Sequence, residues 1–241
     1  MSGHSKWSQI KRQKGAKDAR RSNIFAKLGK AISIAARGGK DPIDNFKLRM
    51  MMDKARQVNM PNDTIERAIK RGSGELEGAT IEEITYEGYG PEGVALLIHT
   101  LTDNKNRTVA DLRHLLTEHR GSLGNTGSVS WQFSPKSVIR VMRQDLTTPD
   151  TSDLQLKFID AGAEDVRDEE DGLTVIADPK SLEALQRVSA TIKVEPASSG
   201  IEMIPTVPIK LTESQKEQLH KLIEILEEHD DVAGVYTNAD V

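Results

Sequence analysis

Apolar side chains repeat with a helical period in three stretches of the first 72 residues. A spacing of three or four residues places them on one face of a helix. Gly38-Gly39, Pro61 and Gly72 follow the three stretches, and Asp63-Thr64-Ile65-Glu66 has the pattern of a capping box. The sequence therefore predicts a small bundle of three short helices. Its apolar positions are Ile24, Leu28, Ala31, Ile32 and Ala35, then Leu48, Met51, Met52 and Ala55, then Ile65, Ala68 and Ile69.

After Gly72 the pattern changes to a mixture of strands and helices. Two strand-like runs separated by glycines predict a hairpin, and a helix and another strand follow, which gives the order ββαβ. We expect Thr108 and Asp111 to cap the helix. The predicted ranges are Ile81–Tyr89, Val94–Leu101, Thr108–His119 and Ser128–Phe133.

A second α/β unit follows, with the order βαββαβ that is typical of the ferredoxin-like fold. Its predicted elements are Ser137–Met142, a helix at Ser152–Ala161, a hairpin turn at Asp171-Gly172, a helix at Ser181–Ala190 and an extended segment at Ile192–Glu195. A last helix around Leu219–Leu226 and a strand at Val232–Thr237 are too small to fold alone. We expect this pair to complete the earlier ββαβ block, which makes the second unit an insertion.

The sequence thus predicts an α+β, multidomain protein. An N-terminal three-helix domain precedes two ferredoxin-like α/β domains, one inserted in the other. The expected boundaries are 1–75 for the basic arm and helical domain, 76–133 with 205–241 for the discontinuous α/β domain, and 134–204 for the insertion.

Charge is distributed very unevenly along the chain. Residues 1–71 contain 18 Lys and Arg against 6 Asp and Glu, whereas residues 72–241 contain 15 against 31. Because lysine and arginine neutralise phosphates and release counterions, a basic end on an otherwise acidic chain indicates a polyanionic partner. The sequence predicts nucleic acid as that partner.

The highest density of positive charge lies in residues 1–22, which we call the basic arm. With few apolar side chains to bury, the arm is expected to be disordered in the free protein. Trp7 has the chemistry to stack on an unpaired base, or to pack the arm on the bundle. The predicted nucleic-acid-binding residues are His4, Lys6, Trp7, Lys11, Arg12, Lys14, Lys17, Arg20, Arg21, Lys27, Lys30, Arg67, Lys70 and Arg71.

Other chemistry finds little support in the sequence. Gly88-Tyr89-Gly90-Pro91-Glu92-Gly93 matches a dinucleotide-binding loop, but a strand rather than a helix follows it, so a hairpin turn is predicted. The six histidines and the acidic run at 168–171 lack metal-ligand spacing, and there is no cysteine. We therefore expect a non-enzymatic cytoplasmic protein with no cofactor, no metal and no membrane association, and expect it to be a monomer.

Several motifs resemble the YebC/PmpR family of probable transcriptional regulatory proteins. They are Gly3-His4-Ser5-Lys6-Trp7 with Ile10-Lys11, Asn59-Met60-Pro61, Ile65-Glu66-Arg67-Ala68-Ile69-Lys70-Arg71-Gly72, Tyr86-Glu87-Gly88-Tyr89-Gly90-Pro91, Thr102-Asp103-Asn104, Asn106-Arg107-Thr108 and Gly127-Ser128-Val129. The resemblance implies a helical N-terminal domain and two α/β domains, one inserted in the other. It implies DNA binding in transcription regulation, and relatives in mitochondria resemble translational activators of cytochrome c oxidase synthesis. Family members are also described as ribosome-associated factors that relieve stalling. No catalytic residue is implied.

Three functions therefore remain open. The first is a DNA-binding transcriptional regulator. The second is a ribosome- or RNA-associated translation factor, which is favoured if the arm becomes helical, because Lys14, Lys17 and Arg21 would share one face while other basic residues surround it. The third is a protein-interaction adaptor that acts through its acidic α/β domains.

Overall fold

The computed structural model describes residues 18–146 and 150–240, with side chains from Arg21 onward. In chain order, the helices are α1 (Asp18–Ala36), α2 (Phe46–Gln57), α3 (Asn62–Gly72), α4 (Lys105–Glu118), α5 (Ser152–Asp160), α6 (Leu182–Thr191) and α7 (Glu213–Glu228). The strands are β1 (Glu82–Tyr89), β2 (Ala95–Thr102), β3 (Ser122–Leu123), β4 (Phe133–Met142), β5 (Ala163–Glu169), β6 (Gly172–Ala177), β7 (Ser198–Pro205), β8 (Ile209–Lys210), β9 (Val232–Thr237) and β10 (Ala239–Asp240).

Helices α1, α2 and α3 form the predicted N-terminal bundle, and the predicted apolar positions, except Ile24 and Ala31, lie in its core or pack against it. The side chain of Asn45 caps α2 by accepting a hydrogen bond from the Leu48 amide at 3.0 Å. The predicted capping box of α3 is wrong, because the helix begins one residue earlier and Pro61 occupies its N-cap without a side-chain bond. The buried core residues are Ile32, Ala35, Ala36, Leu48, Ala55, Met60, Ile65 and Ala68.

The last residues of the basic arm belong to α1, since that helix already includes residues 18–22. Disorder was therefore the wrong expectation for these residues. The rest of the arm, residues 1–17, lies outside the described part of the chain.

The first α/β domain contains a four-stranded sheet in the order β3-β1-β2-β9. Strands β1 and β2 form the predicted antiparallel hairpin. A 3₁₀ turn at Pro91–Gly93 joins them, with Gly93 at φ 74°, so the glycine-rich run is a hairpin turn as expected. Helices α4 and α7 contribute buried leucines to this domain, in α7 Leu219, Leu222 and Leu226.

Two predictions for this domain need correction. Helix α4 begins at Lys105 rather than Thr108, because Asn104 and not Thr108 is the capping residue, with its side chain accepting from the Arg107 amide at 3.1 Å. The strand predicted at Ser128–Phe133 is also wrong. Residues 130–132 form a 3₁₀ turn, and β3 lies earlier, at Ser122–Leu123.

The second α/β domain has the ferredoxin-like order β4-α5-β5-β6-α6-β7. Its antiparallel sheet has the order β5-β6-β4-β7, so the central strands β6 and β4 are largely buried. The extended segment predicted at Ile192–Glu195 is wrong, since the chain turns there and the last strand is β7. The turn satisfies the end of α6, because the Val194 amide donates to the carbonyl of Ser189 at 3.0 Å.

The described chain divides into two compact units. One comprises Ser130–Glu213 and the residues from Tyr236 onward, and the other comprises the residues up to Val129 together with Ser214–Val235. The helical domain and the first sheet therefore belong to the same unit, in which α1 lies against β2. The domain boundaries at 75, 133 and 204 stay a prediction.

Candidate nucleic-acid interface

The predicted contact residues fall into three groups in the structure. Seven of them lie outside the described residues: His4, Lys6, Trp7, Lys11, Arg12, Lys14 and Lys17. Arg20 and Arg21 lie in α1, where the Arg21 side chain is exposed and its guanidinium is 5.9 Å from the centre of the Phe25 ring. The remaining five residues divide between α1 and α3.

On α1, one polar face is directed at the C-terminal end of α7. Asn23 donates a hydrogen bond from Nδ2 to the carbonyl of Glu228 at 2.8 Å, and the Lys27 ammonium donates to the carbonyl of Glu227. The last carbonyls of a helix have no partner within the helix and carry partial negative charge. A cation at this position therefore stabilises α7 and fastens α1 to it.

Lys27 is partly buried in this contact. Burial lowers the pKa of Lys27 below its ordinary value, although the carboxylates of Glu227 and Asp230 act in the opposite direction. The Lys27 ammonium therefore contacts α7 rather than solvent.

Lys30 also holds α1 in place, through an ion pair with Asp231, whose side chain is only 1% exposed. The Lys30 ammonium lies 2.6 Å from one carboxylate oxygen, and the other oxygen accepts from Arg107 at 2.9 Å, Thr108 at 2.8 Å and Thr102 at 3.2 Å. Burial alone would raise the pKa of Asp231, but the hydrogen bonds from Arg107, Lys30 and Thr108 outweigh it and hold the pKa far below its usual value. Asp231 therefore stays ionised at the junction of α1, α4 and β9.

The basic residues of α3 have different surroundings. Arg67, Lys70 and Arg71 are exposed and occupy positions i, i+3 and i+4, which share one face of a helix. The opposite face of α3 buries Ile65 and Ala68 in the bundle. We call Arg67, Lys70 and Arg71 the α3 basic face. It is the part of the predicted interface that the structure brings together on the surface.

Arg37 is a basic residue that sequence reasoning did not assign to the interface. It follows the last turn of α1, is exposed, and donates a hydrogen bond to the carbonyl of Ile81 at 2.6 Å. No local signal separates it from any other lysine or arginine of the bundle. Only the tertiary structure brings Arg37 next to the α3 basic face, because the linker after α3 folds back across the end of α1.

Some of the motif residues have structural roles. Glu87 is buried, and its carboxylate accepts hydrogen bonds from the amides of Gly127 and Val129, each at 2.7 Å. This pairing ties β1 to the loop after β3. Arg107 and Asn104 likewise hold the Asp231 junction and the start of α4. These motif residues therefore maintain the fold.

Within residues 18–146 and 150–240, no cluster of three or more His, Asp or Glu side chains has an arrangement that would hold a metal ion. Across the same described ranges, no helix combines the length and the apolar character that crossing a membrane requires.

Two family models together match most of the chain. Residues 5–75 match the model of the TACO1/YebC protein N-terminal domain, and residues 81–239 match the model of the TACO1/YebC second and third domain. The chain belongs to the TACO1/YebC family. This membership confirms the resemblance to the YebC/PmpR family that the sequence motifs indicated. The two matched ranges are separated by residues 76–80, which lie in the linker that follows α3.

Individual TACO1/YebC relatives are similar along their full length. The probable transcriptional regulatory protein CT1665 of Chlorobaculum tepidum is 49% identical over 243 aligned positions, which cover 100% of this chain and 96% of that one. The probable transcriptional regulatory protein lmo1535 of Listeria monocytogenes is 46% identical, with 100% of both chains covered. The crystal structure of the conserved hypothetical protein Aq1575 of Aquifex aeolicus is 38% identical, with a TM-score of 0.85 over 92% of this chain and 91% of that one.

Proposed function

We propose that this protein is a non-enzymatic regulator of gene expression that binds nucleic acid, and that it acts as a transcriptional regulatory protein on DNA. The observation that carries the proposal is the α3 basic face, in which Arg67, Lys70 and Arg71 are exposed side by side. Neutralisation of backbone phosphates is the chemistry that such a face performs.

The charge distribution supports the same proposal. The first 71 residues carry a large excess of lysine and arginine, whereas the remainder is acidic and repels a polyanion. The names of the relatives from Chlorobaculum tepidum and Listeria monocytogenes also point to regulation of transcription. Lys27 and Lys30, which are fastened to α7 and Asp231, are left out of the proposed contact surface.

The direct test is equilibrium binding of the full chain to labelled duplex DNA and to single-stranded RNA at several salt concentrations. Phosphate contacts release counterions, so we expect affinity to fall about 10³–10⁵-fold between roughly 50 and 200 mM salt if the arm and the α3 basic face make 6–10 contacts. An affinity that does not depend on salt, or no binding to either polymer at low salt, would overturn the proposal.

A second candidate is a translation factor that binds the ribosome or another folded RNA. Arg20 and Arg21 lie within α1, so the end of the basic arm is helical. If the helical form extends towards Lys14 and Lys17, positive charge surrounds the helix, which suits a narrow crevice lined with phosphates better than one side of a duplex.

Sedimentation separates the two candidates. Salt-sensitive co-sedimentation with ribosomes, lost when Lys14, Lys17 and Arg21 are all changed to Glu, supports the translation factor. A protein that stays at the top of the gradient, yet shifts one promoter fragment in the presence of competitor DNA, supports the transcriptional regulator instead.

A further inference from the structure

A polar notch of about 370 Å³ lies beside the α3 basic face. It is formed by the end of α1, the end of α3 and the linker of residues 74–81, all within one compact unit. Two arginines line it, Arg37 from the end of α1 and Arg71 from α3. Its volume is at the lower end of the range for small-molecule sites, and its lining is more polar than is usual for an apolar ligand.

Both arginine side chains lie next to the backbone of the linker. Arg37 donates one hydrogen bond to the carbonyl of Ile81 at 2.6 Å, which fixes its orientation and leaves other N–H donors. The side chain of Arg71 lies across Gly78, where an added Cβ would be only 3.3 Å from Nε. Among the described residues, none accepts a hydrogen bond from the Arg71 guanidinium.

The linker has its own anchor outside the notch. Lys40 and Glu75 form an ion pair at 2.8 Å, and Ser73 also donates to Glu75. This pairing directs the carboxylate of Glu75 towards Lys40. Of the lining residues, Glu77 is the acidic one, so the two arginines leave the notch with a net positive charge.

We infer that the notch binds one phosphate group, with Arg37 and Arg71 as its ligands. This inference deepens the proposed function and rests on it, since a nucleic-acid strand on the α3 basic face would supply the phosphate. Guanidinium groups form short, charge-assisted hydrogen bonds with phosphate oxygens, often two in parallel. Gly74 leaves open space beside the notch, since an added Cβ there would meet nothing within 4 Å, so a bulky anion can approach the backbone closely.

The test is a titration of the full chain followed by the amide NMR signals of Gly72, Gly74 and Gly78. The probes are AMP, inorganic phosphate, adenosine and a trinucleotide with a 5′-hydroxyl. We expect saturable shifts with AMP and phosphate and none with adenosine. Shifts with the trinucleotide as well would show that strand phosphates enter the notch. Shifts with AMP and inorganic phosphate, but not with the trinucleotide, would assign the notch to a free or terminal phosphate.

The decisive variant is Arg71→Gln, with Arg56→Gln, an exposed arginine of α2 outside the notch, as the matched control. Losing one charge-assisted contact should weaken AMP binding about tenfold or more, whereas Arg56→Gln should stay within about twofold. Equal shifts with adenosine, or unchanged AMP binding by the Arg71→Gln variant, would overturn the inference. Oligonucleotide binding measured on the same samples separates the two proposals. Normal oligonucleotide binding without shifts of the glycine signals would contradict only the phosphate site in the notch. Glycine shifts with AMP but no oligonucleotide binding would contradict only the proposed function.

Discussion

Gly72 is a point of close contact between α3 and α1. A Cβ at this position would lie 2.1 Å from the carbonyl oxygen of Ser33 and 2.9 Å from the Cβ of Ala36. Next to this contact, the Ser33 hydroxyl donates to the carbonyl of Ala68 at 2.8 Å in a buried hydrogen bond. Gly72 is therefore required by the distance between two helices, in addition to its position at the end of one.

We predict that Gly72→Ala destabilises the helical bundle by about 1–3 kcal/mol, because the backbone of α1 must move away. Gly29→Ala is the matched control, since the nearest atom to its added Cβ is the Met60 methyl carbon at 3.8 Å. Alanine should there stabilise α1 by up to about 1 kcal/mol. Urea unfolding of both variants measures the difference, and equal midpoints would contradict the close-packing explanation.

Asp231 gives a second prediction at the scale of one residue. Asp231→Asn leaves Lys30, which is only 20% exposed, without its carboxylate, and we expect a loss of about 3 kcal/mol in the free energy of unfolding at neutral pH. Asp53→Asn, which breaks the exposed pair with Arg56, should change stability by less than about 1 kcal/mol. Urea unfolding at neutral pH measures both changes, and equal losses in the two variants would exclude a special role for the buried carboxylate.

The depressed pKa of Asp231 also sets a pH dependence. Its stabilising contribution is complete above the unfolded carboxyl pKa, about 3.9, and disappears as the pH falls towards the lower folded value. The unmodified protein should therefore lose stability below about pH 4 more steeply than the Asp231→Asn variant, which lacks this titrating carboxyl group. Parallel acid unfolding curves for the two proteins would exclude this role.

At the scale of elements, two helices of one bundle carry lysines or arginines with different surroundings. The face of α1 that includes Lys27 and Lys30 is joined to α7 and Asp231, whereas the α3 basic face is exposed. Both helices contain lysine and arginine, so residue type does not distinguish them. The difference lies in which neighbour the fold places opposite each face.

This difference predicts opposite results for two double variants. Lys27→Gln with Lys30→Gln should lower the unfolding midpoint and change nucleic-acid affinity little, because these ammonium groups face protein. Arg67→Gln with Lys70→Gln should leave the midpoint unchanged and reduce the slope of log affinity against log salt by about 2. Thermal unfolding and fluorescence anisotropy measure both. A binding loss confined to the α1 variant would return Lys27 and Lys30 to the interface.

At the scale of the whole molecule, positive charge is concentrated before residue 72 and negative charge after it. Because α1 already includes residue 18, a truncation that removes residues 1–17 leaves that helix in place. We predict that this truncation abolishes most nucleic-acid binding at about 0.15 M salt while the melting transition is retained. An unchanged affinity would exclude the arm as the main contact, and a lost transition would assign Trp7 a structural role.

The ferredoxin-like domain gives a further test at this scale. Its sheet and both its helices lie between Phe133 and Pro205, so its hydrogen-bonded strands come from one continuous segment. We expect residues 130–210, produced alone, to unfold cooperatively and to show dispersed amide signals. Random-coil dispersion would show that this domain depends on the rest of the chain.

The sequence by itself determined the elements whose signal is local. Apolar periodicity identified the three helices of the bundle, the β1–β2 hairpin, α7 with its buried leucines, and β9. The βαββαβ order was also visible, because each of its elements has its own apolar pattern and turn residues. Two helix starts were misplaced although their signals are local: Asn104, a residue type that favours the N-cap, precedes α4, and Pro61 precedes α3 without a side-chain bond.

Only the tertiary structure decided which basic side chains contact protein and which face solvent. Lys27 and Lys70 are chemically alike, and both lie on amphipathic helices, but the C-terminal end of α7 meets one and solvent meets the other. The partner of Lys30 is 201 residues away along the chain, and no spacing rule reaches that far. The notch of Arg37 and Arg71 likewise exists only because the linker folds back over the ends of two helices. The position of each charge along the chain follows from the sequence, whereas the exposure of each charge depends on long-range packing.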